Sequence, residues 1–307
     1  MNLALNASWI PKRRIKGGIY MSKIKLHYAC KNVNNFGDVL NLEICDKLFG
    51  KKCVYAVPLR CEAVFIGSVL EHLLYPYSNC LHKTYLGKWK KSVQVWGSGF
   101  IANPNEIIKR PNDMKEEFYR KLSIHAVRGN KTKERIEQIL DKELKNVVLG
   151  DPGLLASELL KGKQIQTDCK IGIIPHYVER NENLDNIKVT GGKVIDICQE
   201  SLKVIEEIAK CEMILSSSLH GLIIADSLGI PNARIVLSDK VLGGDYKYID
   251  YYSAFGLDDH IKFDIRRKKI MQDDINFVID NYSMKREEIK QKQKNLRDSF
   301  PFGRDNI

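Results

Sequence analysis

A chain of 307 residues with 44% hydrophobic and 28% charged residues, only 9 Pro and 21 Gly, can bury a sizeable core, and this composition excludes disordered, collagen-like and mucin-like chains. Its length leaves room for about two domains. Basic residues outnumber acidic ones 49 to 38, a net charge of +11 that favours approach to polyanions: nucleic acid, an acidic membrane surface or phosphorylated substrates.

In chain order, residues 1–20 carry a basic patch (Lys12, Arg13, Arg14, Lys16) after a short apolar start. A signal peptide has the reverse order, so 1–21 reads as a flexible extension, or as sequence upstream of a true start at Met21. From Ile24 short β-branched runs alternate with longer segments of helical periodicity, the pattern of a parallel sheet covered by helices. Strands are predicted over 24–29, 53–57, 63–66, 93–96, 124–127 and 147–149, with helices over 38–49, 113–121, 131–140 and 153–160. A polar linker at 161–168 separates this set from a second one. There strands are predicted over 170–174, 187–189, 194–197, 213–216 and 234–237, and helices over 199–210 and 219–228. In the helix over 199–210, Leu202, Ile205, Ile208 and Ala209 share one stripe. The predicted fold is α/β: two Rossmann-like domains, 22–162 and 168–283, facing a cleft.

A last helix, 284–296, opens a basic tail over 284–307. Its charges read as a solvated surface, with contact to anionic lipid as the alternative. The richest apolar window, 219–230, is interrupted by His220, Gly221, Asp226 and Gly229, so no segment reads as a membrane span. Eight scattered cysteines, with no CxxC pair and no Cys/His cluster at metal spacing, fit a reduced, cytoplasmic protein without structural zinc.

Residues that can carry chemistry sit where predicted strands end. Asn35, Gly37 and Asp38 follow the first strand and open a helix; Asn35 or Asp38 caps it or meets a ligand. Gly97-Ser98-Gly99-Phe100-Ile101-Ala102 has the G-x-G-x-x-A shape, though Pro104 interrupts it early; its amides could face an anion. Arg128 can fork a carboxylate or phosphate, or make a salt bridge. Asp151, before Pro152, is a helix cap or a cleft residue. His176 follows a buried strand, where histidines are commonly structural. Ser216-Ser217-Ser218-Leu219-His220-Gly221 is the strongest feature: three hydroxyls at a helix start form an anion site, and His220 can add charge or deliver a proton. Serine capping accounts for the hydroxyls but not for His220-Gly221. Tyr248, Tyr251 and Tyr252 read equally as a sugar-stacking face or as core.

Taken in order, Asn35-Phe36-Gly37-Asp38, Gly97-Ser98-Gly99, Val127-Arg128-Gly129, Gly150-Asp151-Pro152-Gly153, Pro175-His176-Tyr177 and Ser216-Ser217-Ser218-Leu219-His220-Gly221 resemble the successive signatures of the polysaccharide pyruvyl transferase family, over about residues 24–301. Many members have arginine where Ser218 stands. The resemblance implies a GT-B-like fold and transfer of a pyruvyl group from phosphoenolpyruvate to two hydroxyls of a hexose of galactose type, giving a cyclic ketal and phosphate. On this reading protonated His220 delivers a proton to the methylene carbon, Asp38 takes the hydroxyl proton, and Arg128 grips the donor, with the roles of His176 and His220 exchangeable. No metal or cofactor is needed. The acceptor implied is a lipid-linked repeat unit at the inner membrane face, with peripheral contact to anionic lipid. A sugar-nucleotide glycosyltransferase, with Asp239 or Asp245 on the ribose, is the competing reading. A polyanion-binding module comes third; with no reader motif, nucleic acid is not an expected partner.

Overall fold

The computed structural model describes residues 23–29, 36–75, 89–104, 106, 115–187, 189–258 and 260–303. The N-terminal extension and Asn35 lie outside them. A first sheet is assembled from β1 (Ile24–Leu26), β2 (Cys53–Tyr55), β3 (Ala63–Val64), β5 (Val93–Trp96), β7 (Leu122–Val127) and β8 (Val148–Leu149), in the order β2-β1-β3-β5-β7-β8. A second contains β9 (Cys169–Ile174), β10 (Gly192–Val194), β11 (Cys211–Ser216), β12 (Asn232–Val236) and β13 (Lys262–Asp264), in the order β10-β9-β11-β12-β13. Every pairing in both sheets is parallel.

Parallel strands need covering on both faces, and helices supply the cover. These are α1 (Phe36–Phe49), α2 (Asn130–Leu140), α3 (Ser201–Ala209), α4 (Leu219–Leu228), α5 (Tyr246–Ser253), α6 (Gln272–Asn281) and α7 (Arg286–Asp298), with a 3₁₀ helix at Pro152–Leu160. In α3 the buried face runs through Val204, Ile205 and Ile208; of the predicted stripe, Ile205 and Ile208 are buried and Leu202 and Ala209 only partly so. Helix α4 ends where Gly229 takes φ +71° and its N–H closes onto Ala225 and Asp226, a left-handed stop that glycine adopts without strain. One buried apolar cluster draws on both sheets, from Leu26 and Phe36 to Ile174, Leu222 and Ile223.

Helix α7 packs against the first half of the chain. Ile289 and Leu296 are its buried residues, the Trp96 indole donates to Leu296 O at 3.0 Å, and Phe300 stacks on Phe49 with ring centres 3.8 Å apart. Arg297 pairs with Glu158.

Two expectations need correction. The described part of 113–121 is extended: β6 (Glu117–Phe118) pairs antiparallel with β4 (Leu74–Tyr75). Its Glu- and Lys-rich composition reads helical, yet Tyr119 is buried and donates to His72 O at 2.7 Å. Arg120 donates to the carbonyls of Pro58, Leu59, Cys61 and Lys91, anchors that hold this segment out of a helix. The pair of strands predicted over 187–189 and 194–197 is a single exposed edge strand, β10; Ile187 keeps only an isolated bridge to Ile270. Tyr251 and Tyr252 are core, their hydroxyls donating to Asp226 and Asn232, and Tyr248 OH donates to Ser217 O at 2.7 Å. No helix among the described residues is long and apolar enough to cross a membrane.

Candidate active site

In open α/β sheets ligands gather beyond the carboxyl ends of strands, where the strand order reverses. The first sheet reverses between β1 and β3, the second between β9 and β11. The loops leaving these four strands meet around one cavity of about 180 Å³. Its walls include Asp38, Gly67 and Ser68 from the first sheet's side and His176, Tyr177, Ser218, His220, Lys240 and Lys247 from the second's.

Each wall residue is held by a local device. Asp38, in the first turn of α1, accepts the Ala29 N–H at 3.2 Å, tying the helix start to the end of β1. Asn41, one turn on, donates to Gly37 O and Ile66 O and accepts the Ile66 N–H, which fixes α1 against the loop carrying Ser68. On the opposite wall Ser216 Oγ accepts the Ser218 N–H and donates to Ile174 O, bracing the entrance to α4. Ser217 Oγ accepts the His176 N–H at 2.8 Å, so the β9 and β11 turns are locked together. Ser218 occupies the N-cap position of α4 but makes no capping hydrogen bond and faces the cavity. The positive end of α4 therefore opens there.

Buried charge sets the site's electrostatics. Burial, then the positive charges of Lys247 and Arg128, push the His220 imidazole down to about 3, and its Nε2 has no hydrogen-bond partner among the described residues. Burial, then Arg128 and Arg234, bring Lys247 down to about 7 against the opposing pull of Glu179. Lys240, by contrast, is paired with Glu182. Two basic groups whose charge burial suppresses, His220 and Lys247, thus line one wall of the cavity, and the Asp38 carboxylate lines the other.

Of the residues singled out in the sequence, Asp38, His176, Ser218 and His220 line this cavity. Others stand behind it. The amides of Gly97, Gly99, Phe100 and Ile101 are taken by Ala126 O, Gly67 O, Thr132 Oγ1 and Glu71 Oε1, and Ser98 Oγ donates to Gly67 O, so no anion turn forms. Arg128 is fully buried: Nε donates to Asp250 Oδ2 at 2.8 Å, Nη1 to Ser68 Oγ at 2.6 Å and Nη2 to Phe100 O. It therefore positions Ser68 instead of lining the cavity. Asp151 is the cap of the Pro152–Leu160 helix, accepting the Gly153 N–H at 2.8 Å; burial raises its carboxyl to about 7. Gly221 leaves room for Ser216 Oγ, which a Cβ would strike.

Gly37 does not line the cavity but touches what does. A Cβ there would collide with the Cε1, Nδ1 and Nε2 atoms of His220. Gly37→Ala is expected to displace that ring and lower kcat about a hundredfold, the scale of an ångström-sized misplacement. An unchanged melting temperature with steady-state kinetics at the parent level would contradict this.

Sequence reasoning missed Ser68, Lys240 and Lys247. The one signal available for Lys247 was a lysine inside the aromatic stripe Tyr246, Tyr248, Tyr251 and Tyr252, a buried-face position where a charge needs a reason.

The chain belongs to the polysaccharide pyruvyl transferase family, whose sequence model matches residues 35–239. It is 29% identical over 252 residues to the uncharacterized protein L143 of Acanthamoeba polyphaga mimivirus, spanning 78% of this chain and 77% of that one. It is 27% identical over 237 residues to the succinoglycan biosynthesis protein ExoV of Rhizobium meliloti (strain 1021), spanning 76% of this chain and 66% of ExoV. Among solved structures, the functionally uncharacterized protein KP1_0663 from Klebsiella pneumoniae subsp. pneumoniae NTUH-K2044 aligns at a TM-score of 0.40 and 15% identity, over 76% of this chain and 88% of that one. The spinosyn rhamnosyltransferase SpnG aligns at 0.37 and 13% identity, over 78% and 70%.

Proposed function

We propose that this protein transfers the pyruvyl group of phosphoenolpyruvate to two hydroxyls of a hexose in a lipid-linked polysaccharide repeat unit, forming a ketal and releasing phosphate. The observation that carries the reading is the make-up of this cavity, with the start of α4, His220 and Lys247 on one wall and the Asp38 carboxylate on the other. A small donor bearing both phosphate and carboxylate supplies the anionic charge that this wall lacks.

Burial favours the neutral forms of His220 and Lys247, and a bound anion favours their protonated ones. His220, so protonated, gives its proton to the donor's methylene carbon. The resulting cationic C2 is attacked by the first hydroxyl, whose proton passes to Asp38. The C2–O bond to phosphate then breaks, phosphate departs, and the second hydroxyl closes the ketal as its proton passes to His220, left neutral by the first step. Lys247 supplies fixed charge beside the phosphate, at the same wall where Ser218 replaces the arginine of many members.

The test is phosphate release from phosphoenolpyruvate with a panel of hexosides, combined with mass spectrometry of the acceptor. One ketal gained per phosphate supports the proposal; no release, with turnover of a sugar nucleotide, overturns it in favour of glycosyl transfer. Lys247→Met is expected to raise KM for phosphoenolpyruvate about tenfold or more, the weight of one charged hydrogen bond, and Ser218→Arg in that background to recover part of the loss. A KM unmoved by Lys247→Met would remove this residue from the donor site.

A further inference from the structure

A second hollow, of about 440 Å³, lies beside the first, and Leu242 lines both. It sits at the carboxyl ends of β12 and β13, and its wall includes Glu179, Ser217, Arg234, Ser238 and Tyr248. Glu179 ends the short turn that begins after His176, while Ser217 is the neighbour of Ser218. The two cavities are thus opposite sides of the same pair of turns.

The second hollow differs from the first in charge. Its cations are already matched: Arg234 and Lys262 by Asp245, at 2.6 and 2.8 Å, and Arg266 by Asp239 and Asp264. A diphosphate entering here would have to break these pairs, and neither Asp239 nor Asp245 is left unmatched for a ribose. What the hollow retains is hydrogen-bonding capacity. Glu179 is 1% exposed; Oε1 accepts the Ser238 hydroxyl at 2.6 Å, and Oε2 is buried with no partner among the described residues. Arg234, 9% exposed, lies 3.7 Å over the Tyr248 ring and leaves Nε without a partner among those residues. An acceptor and a donor, both desolvated and both unmet, beside cations that are already ion-paired fit a ligand rich in hydroxyls and poor in charge.

We propose that this hollow is the subsite for the sugar that neighbours the reacting hexose in the acceptor glycan. The proposal rests on the pyruvyl-transfer reading for its place in a reaction, but not for its ligand class. A saccharide reaching from the first cavity past Leu242 presents hydroxyls to Glu179 and Arg234, so selectivity for the glycan is set away from the reacting carbon.

Calorimetric titration without phosphoenolpyruvate, using methyl glycosides and trisaccharides of galactose, glucose and mannose, reads the hollow as the advantage of the longer ligand over the shorter. At least one trisaccharide is expected to bind more tightly than its methyl glycoside. Glu179→Gln and Ser238→Ala, which change single atoms or one hydroxyl, should each reduce that advantage about tenfold. The same ratio should collapse in KM when phosphate release is followed. No saccharide binding to the parent protein, an advantage that survives both variants, or binding of UDP or GDP that is lost in Glu179→Gln, would overturn the proposal. Phosphate release with methyl glycosides reports separately on the donor chemistry, so the failure of one reading is distinguishable from the failure of the other.

Discussion

Replacing His220 by alanine is expected to reduce kcat for phosphate release from phosphoenolpyruvate by about a thousandfold, within the range that positioned proton donors contribute, while the protein stays folded. The ring sits directly against Gly37 and has its Nε2 in no hydrogen bond among the described residues, so little scaffold depends on it. The variant should also change how stability depends on pH. In the folded, ligand-free protein the imidazole titrates near 3, against 6.5 for an ordinary histidine. Between those values the unfolded chain holds a proton that the folded one does not, so stability rises with pH. This contribution is complete above 6.5 and is lost as pH falls toward 3, at a limit of about 1.4 kcal/mol per pH unit. His220→Ala should flatten that segment of the stability curve relative to the parent. Denaturant unfolding at pH 4, 5, 6 and 7 reads the difference, and parallel curves for the two proteins would contradict the assignment. Phosphoenolpyruvate should reverse the preference, taking up protons as it binds. Titration in buffers of different ionisation heat measures that uptake directly.

Asp250→Ala should have the largest effect on stability. The carboxylate is fully buried and accepts Arg128 Nε at 2.8 Å, the Thr132 N–H at 2.8 Å and the Thr132 hydroxyl at 2.7 Å. Removing it strands a guanidinium that is 1% exposed, and a buried charge left unpaired costs about 3–5 kcal/mol. For a chain of this size the melting temperature should drop by on the order of 10 °C. Adding Arg128→Met removes the stranded charge and should recover a substantial part of that loss. A double variant as unstable as the sum of the two single ones would show that Arg128 and Asp250 do not act as a pair.

The sheets were largely legible in the sequence because buried parallel strands are written locally. The run at 213–216 and the helix over 219–228 could be placed because serines precede the helix and Gly229 ends it. What escaped was decided by distant partners. Arg120 holds its segment extended through carbonyls 29 to 62 residues away, which no local window contains. The candidate site divides in the same way. His176, Ser218, His220 and Asp38 announce themselves as polar residues at strand ends. The Gly97-Ser98-Gly99 turn has the same local look, but its amides are spent on Ala126 and Gly67, and only the fold reveals that. Arg128 likewise reads as an anion clamp until Asp250, 122 residues on, is found against it. Lys247 was overlooked for the opposite reason: nothing in its own turn says that the helix carrying it faces the loops of the first sheet.

The bond from the Trp96 indole to Leu296 joins residues 200 positions apart. During synthesis at roughly 5–20 residues per second, about 10–40 s separate the two. The first half of the chain leaves the ribosome with Trp96, Phe49 and Phe65 still waiting for Phe300 to complete their aromatic cluster. Its final consolidation therefore waits on residues made long after the first sheet, and the interval is a window in which a nascent-chain chaperone has an apolar surface to hold. A stop codon before residue 284 would make that window permanent.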